Sequence, residues 1–198
     1  MSKLDYELQL QSQGYKLLAG VDEVGRGPLA GPVVVACVIL PLDDVIDGVD
    51  DSKKLSEKKR NFLYAKILEK AIAYKVVFVD EKTIDQINIL NATKLAMKQA
   101  IEEMPTMPDC VLIDAVKLDC SVKTFPVIKG DALSYLIGAA SIVAKVERDA
   151  YMTRLAEQYP IYGFEKNKGY GTKQHIDAIK IVGPCPIHRR SFIKNFLK

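Results

Sequence analysis

Residues 132–146 constrain this chain more than any other stretch. Ala132–Val146 carries helical spacing but is apolar nearly all round. A helix without a polar face must be covered on every side, so it belongs inside a layered domain. Ala139, Ala140 and Ser141 are small enough to let it lie close to a sheet. That sheet is readable as well. Val33–Leu40 is β-branched and nearly continuous, as a buried strand should be. Further strands are expected over Lys16–Asp22, Tyr74–Val79, Cys110–Asp114 and Val122–Ile128, with Pro126 placing part of the last at an edge. Helices are expected over residues 3–13, from a Ser56 cap to about Ala73, and from a capping box at Thr83-x-x-Gln86 to Met104, with room for a kink. Asp131 is expected to cap the long helix, which runs to about Gln158. A glycine-rich basic loop (160–172) precedes a helix that Gly183 ends, and a short last helix follows from about Ile187. Strands come early and helices alternate with strands later, which reads as α/β with a mixed sheet and a C-terminal helical extension.

Composition narrows the function classes. A chain of 198 residues with 48% hydrophobic and 27% charged side chains fits one globular domain, or one with a small appendage. No apolar run reaches the ~18 residues of a membrane span. The first residues include Asp5 and Glu7 and lack the apolar stretch of a secretory signal. Cys37, Cys110, Cys120 and Cys185 are not closely paired, which fits reduced thiols in a cytoplasmic protein. The net charge is only +3, but residues 151–198 hold nine basic and three acidic side chains. A basic tail on a mildly acidic body fits a polyanion partner, and it also fits a solvated helical surface.

The chain has no phosphate-binding P-loop, no His-Glu-x-x-His and no Cys-x-x-Cys, and its only histidines are His175 and His188. A His-rich zinc site is therefore not expected, and His175 reads as an ordinary polar residue. Gly25-x-Gly27-x-x-Ala30 superficially matches a dinucleotide fingerprint. That fingerprint needs a helix after the glycines, and the strand-like Val33–Leu40 stands there instead. Four acids are more informative. Asp22 and Glu23 close the first strand, Asp114 closes another, and Asp131 sits in Lys129-Gly130-Asp131 at the head of the buried helix. Acids at strand ends and helix starts of an α/β sheet often converge on one edge. Several oxygen ligands there suit a hard cation such as Mg²⁺, and two such ions about 4 Å apart can run phosphodiester chemistry. Each acid alone also has a plain reading, Asp131 as a helix cap and the others as loop or solvated acids. Asp22 and Glu23 are adjacent, so a strand would send them to opposite faces. A turn at Gly25 and Gly27 would be needed to bring both to one site.

Gly20-Val21-Asp22-Glu23-Val24-Gly25-Arg26-Gly27-Pro28-Leu29-Ala30-Gly31-Pro32 resembles the opening motif of the ribonuclease HII family, the type 2 ribonucleases H. So do Asp51–Ser56, Lys129–Ala132, Ala140–Asp149, Asn167–Thr172 with His175, and His188-Arg189-x-Ser191-Phe192. The similarity spans residues 15–195 in one register. Ala115 follows Asp114 where the family pattern suggests glycine.

The resemblance implies a ribonuclease H-like fold: a five-stranded mixed sheet flanked by helices. It makes residues 1–198 one catalytic domain that includes a basic helical extension from about 151 to 198. It implies that Asp22, Glu23, Asp114 and Asp131 are the catalytic acids and bind Mg²⁺ or Mn²⁺. The implied reaction is hydrolysis 5′ to a ribonucleotide in RNA–DNA hybrids and in duplex DNA with embedded ribonucleotides, leaving 3′-hydroxyl and 5′-phosphate ends. Gly25, Arg26 and Gly27 would bring backbone to a ribose 2′-hydroxyl, and Tyr170 would pack against that sugar. Ser52, Lys53 and Lys145 would touch phosphates, and the basic tail, with Lys168, Arg189 and Arg190, would face the duplex. A monomer is expected, with no membrane partner. Two other readings stand beside this one: a nucleic-acid-binding module without chemistry, and a dinucleotide-binding enzyme.

Overall fold

The continuous β-branched run does become a strand with no exposed residue. Val33–Ile39 (β2) is buried throughout, in a computed structural model that describes residues 3–114, 116 and 118–197. Ala115 lies outside the described residues. β2 pairs antiparallel with β1 (Leu18–Val24) on one side and with β3 (Ala73–Val79) on the other. β1 also pairs parallel with β4 (Cys110–Asp114), which pairs parallel with the edge strand β5 (Lys123–Val127). The order is β3-β2-β1-β4-β5, a five-stranded mixed sheet. The segment over Val33–Leu40 is therefore a strand, and the helix that a dinucleotide site requires is not there.

Helices cover both faces. On one face lie α1 (Asp5–Ser12), α2 (Glu57–Lys70) and the long α5 (Tyr135–Gln158), around a core that includes Leu10, Leu63, Ile67, Leu112 and Ile142. α5 is buried nearly all round in its first three turns. It lies close on β1 because residue 20 is glycine. A Cβ there would stand 2.1 Å from the Leu136 carbonyl carbon. The other face packs on α3 (Glu81–Glu102) through Ile84, Ala92, Ala96 and Met97. A third core, with Met152, Tyr162, Phe164, Ile179 and Ile193, builds the C-terminal extension from short elements, among them α6 (Phe164–Asn167), and from α7 (Lys173–Val182).

Two local expectations need correction, both of them helix caps. α3 is capped by Asp80, whose carboxylate accepts the Thr83 N–H at 2.8 Å, so the cap stands three residues before the expected box. The kink falls at Asn88 (φ 65°), whose side chain re-caps the second half through Asn91 N–H. The cap of the long helix is Ser134, which accepts from Ile137 N–H. Residues Gly130–Leu133 form a separate short turn, α4. Asp131 is thus not the N-cap of α5.

Candidate active site

The sheet's geometry brings three of the four acids to one end. Val21 of β1 is partnered with Ile113 of β4, so Asp22 and Asp114 follow as the next residues of neighbouring parallel strands. Asp114 is itself partnered with Val127, two residues before the Lys129-Gly130-Asp131 turn. Lys129 adopts a left-handed φ of 58°, which folds that turn back over the strand end, and Gly130 N–H donates to Asp114 Oδ1 at 2.8 Å. A side chain at Gly130 would crowd Ile137 at 2.5 Å. The site therefore rests on the carboxyl ends of parallel strands.

Glu23 arrives differently. The backbone does not turn between Asp22 and Glu23, and both remain in β1, opposite Ala36 and Val35. The turn comes two residues later at Gly25 (φ 90°). Alternation puts Glu23 on the other face from Asp22; at the strand's end Glu23 lines a cleft whose wall includes Ser141, the hydrogen-bond partner of Asp22. Its Oε1 accepts from Arg26 at 3.2 Å, while its Oε2 is buried with no hydrogen-bond partner.

Burial and mutual repulsion dominate the electrostatics. Desolvation, followed by the Glu23 charge, pushes the Asp22 carboxyl well above the usual carboxylate range, although the Ser141 hydroxyl opposes this. Burial also raises Glu23 against the pull of Arg26. Burial raises Asp114 against the Gly130 N–H, with the Asp131 charge adding to the rise. Lys53 stands 3.6 Å from Asp131 Oδ2. Burial works against the Lys53 charge, and Asp51, Asp131 and Asp22 outweigh it and raise its pKa.

A cleft of about 240 Å³ opens beside Glu23, and its wall includes Ser141, which bonds Asp22, and Lys53, which stands against Asp131. Glu23, Gly25, Arg26, Gly27, Ser52, Lys53, Lys145 and Tyr170 line it, together with Val24 and Ser141. The seven residues expected to meet the ribose and its phosphates thus fall on one surface, drawn from four separated segments. Ser52 is buried and shares a 2.8 Å hydrogen bond with Ser141, so its hydroxyl supports the acids' surroundings. Lys145 pairs with Asp149 at 2.8 Å. Tyr170 is 41% exposed, and its Cε1 stands 3.8 Å from where a Gly27 Cβ would be.

Do these residues fit a divalent cation? Among the described residues, no three His, Cys, Asp or Glu side chains are already gathered tightly enough to hold one. Arg26 holds Glu23, and Lys53 stands against Asp131. The donor chemistry nonetheless fits. All four are hard oxygen donors, three are held at raised pKa, and Glu23 Oε2 has no partner. A hard cation would satisfy all three conditions at once.

Several working parts were not legible as such in the sequence. Arg189, expected at the duplex surface, is fully buried and donates to the carbonyls of Gly31, Arg26 and Gly25 at 2.9, 3.0 and 2.6 Å. It is a strut for the glycine corner. Arg148, equally buried, donates to Pro32, Ala30 and Lys168 carbonyls and so ties that corner to the Tyr170 loop. The i, i+7 spacing of Ser141 and Arg148 on α5 was the available signal. Lys168 bonds Thr153 and the Glu165 carbonyl, and the backbone N–H of Arg190 donates to Asp85. His175 and His188 are buried, not surface residues.

The family model described as Ribonuclease HII matches residues 19–195. A Ribonuclease HII of Ruminiclostridium cellulolyticum is 56% identical over 196 residues, covering 98% of this chain and 77% of its own length. One of Caldicellulosiruptor saccharolyticus is 53% identical over 195 residues, covering 98% and 95%. The crystal structure of ribonuclease H2 from Pyrococcus horikoshii superposes with a TM-score of 0.77 at 27% identity, covering 91% of this chain and 97% of that one. With one model matched along almost the whole chain, and relatives more than half identical over nearly all of it, this chain belongs to the ribonuclease HII family.

Proposed function

We propose that this divalent-metal-dependent ribonuclease H cuts on the 5′ side of a ribonucleotide, in RNA–DNA hybrids and in duplex DNA that carries single ribonucleotides. The observation that carries the reading is the shared cleft. A bare glycine corner, an aromatic and two lysines line one cleft with the desolvated Glu23, and two residues of its wall, Ser141 and Lys53, reach Asp22 and Asp131. Asp22, Glu23, Asp114 and Asp131 would hold Mg²⁺ or Mn²⁺. When bound, the ions lower the pKa of an attacking water and neutralise charge developing on the leaving oxygen.

The chain's own residues do the rest. Gly27 offers its backbone without a side chain in the way, which suits recognition of a 2′-hydroxyl. Tyr170 flanks the same spot and packs on the sugar. Lys53 and Lys145 supply positive charge where a phosphate would lie. Ser141, bonded to Ser52, steadies Asp22. The basic side chains that remain exposed near the cleft, not Arg189, carry the duplex contact. The chain works as a single domain and a monomer. Among the described residues no helix is long and apolar enough to cross a membrane. The uncrosslinked cysteines support a cytoplasmic setting.

The test is nicking of a DNA duplex with one ribonucleotide, in chelator, Mg²⁺ and Mn²⁺. Cutting only with a divalent ion, with a 3′-hydroxyl left on the 5′ side of the ribose, is expected. Cutting in chelator, or none with either ion, refutes it.

A further inference from the structure

The chain's two histidines take no part in the chemistry above, yet both are buried, at 0% and 1% exposure. Their Nε2 atoms are 2.9 Å apart. Two N–H groups cannot face each other at that distance, so one ring donates and the other accepts. The geometry decides which. His175 Nδ1 lies 2.9 Å from the Tyr170 carbonyl oxygen, which can only accept, so Nδ1 carries the hydrogen. A neutral His175 then has a bare Nε2, and His188 Nε2 must donate to it. That leaves His188 Nδ1 as an acceptor. The Cys185 N–H at 3.0 Å and thiol at 3.1 Å supply donors, nearer than the Cys185 carbonyl at 3.3 Å. The reverse order would require His175 to be a cation.

The surroundings favour the neutral order. Tyr162 and Phe164 pack against both rings, and the Tyr162 hydroxyl donates to Gly183. Burial lowers both imidazoles, the Arg190 charge adds to the cost of a proton on His188, and His188 is held at about 4. Cys185, raised by burial to about 11, stays a thiol. The relay ends on the carbonyl of the residue whose ring flanks Gly27, and that carbonyl also accepts the Thr172 N–H at 2.8 Å.

We propose that His188 and His175 are positioning residues whose fixed tautomer order locks the Tyr170 backbone and holds its ring beside Gly27, where ribose is told from deoxyribose. The inference rests on the reading that Tyr170 packs against the sugar. Nitrogen-15 NMR of the intact protein at about pH 6, where a free imidazole is substantially protonated, reads the order directly. His175 should appear as the neutral Nδ1–H form and His188 as the neutral Nε2–H form. A cation on either ring, or the reverse order, overturns the relay.

Cleavage at a lone ribose supplies the functional arm. His175→Phe keeps a ring but removes the donor, and should slow cleavage about tenfold with all-DNA duplex affinity unchanged. His175→Asn places an amide N–H where Nδ1 stood, and should recover most of the loss. Tyr170→Ala should cost a similar factor, and adding His175→Phe to it should cost little more. A costly Tyr170→Ala beside a silent or fully additive His175→Phe overturns the relay alone. A silent Tyr170→Ala overturns the sugar contact and the relay's role with it. If His175→Phe fails to fold, His175→Asn decides: wild-type-like ribose preference supports the relay, and its loss overturns it.

Discussion

Gly25 and Gly27 sit two residues apart in the corner of the cleft, and alanine at each should fail for different reasons. At Gly25 the fold itself demands glycine. Its φ is +90°, and a Cβ would lie 2.2 Å from Arg148 Nε and 2.7 Å from the Pro32 carbonyl oxygen. A left-handed conformation costs a non-glycine residue about 1–2 kcal/mol, and overpacking adds about 1–3, so Gly25→Ala should lose roughly 2–5 kcal/mol of stability. At Gly27 the fold demands nothing. Its φ is not positive, and a Cβ would meet only the Tyr170 ring, at the ordinary distance of 3.8 Å. Stability of Gly27→Ala should stay within about 0.5 kcal/mol of wild type. If the 2′-hydroxyl bonds this backbone, the added methyl forfeits a contact worth about 1–3 kcal/mol, or roughly 5- to 150-fold in kcat/KM. Urea unfolding of both variants, beside cleavage of a duplex with one ribose, separates the cases. A Gly27→Ala protein that is well folded and cuts at the wild-type rate would refute the backbone-recognition argument.

Asp22→Asn should abolish most cleavage while leaving duplex binding in a gel shift intact. It should also stabilise the metal-free protein near neutral pH, because it removes a buried charge crowded by Glu23. An Asp22→Asn protein that cuts substantially in Mg²⁺ contradicts its assignment. Arg189→Met should destabilise strongly, by about 3 kcal/mol or more, since it leaves three carbonyls unpaired. The salt dependence of duplex binding should not flatten in any folded fraction, and a flatter slope would return Arg189 to the surface. His188 has its folded pKa depressed from 6.5 to about 4, so its stabilisation is complete above 6.5 and is lost as pH falls to about 4. Unfolding free energy of wild type should therefore drop across that window more steeply than that of His188→Phe, and equal slopes would count against the depressed value.

The sheet and its acids were legible because they depend on local pattern. The β-branched run Val33–Ile39 and the short strand Cys110–Asp114 announce themselves by composition, and the latter ends in its acid. The glycine corner is equally local. What stayed hidden depends on tertiary partners. Arg148 and Arg189 look like surface charge, since arginine is rarely fully buried, and only the folded corner supplies the carbonyls that hold them. His175 and His188 are thirteen residues apart, and nothing in either neighbourhood signals that their rings meet. Asp131 was expected to cap α5 because an acid before an apolar helix usually does. Ser134, whose hydroxyl also donates to Glu7, takes that place and leaves the acid to face Lys53 in the wall of the cleft.

The central claim is that one cleft both recognises a ribose and places the chemistry beside it. Three matched duplexes test this most directly, carrying at a single position a ribose, a deoxyribose or a 2′-O-methyl ribose, each incubated with Mg²⁺. Cutting is expected at the ribose alone, because the deoxy sugar lacks the hydroxyl and the methyl group prevents close approach to Gly27. Comparable cutting of all three would contradict it.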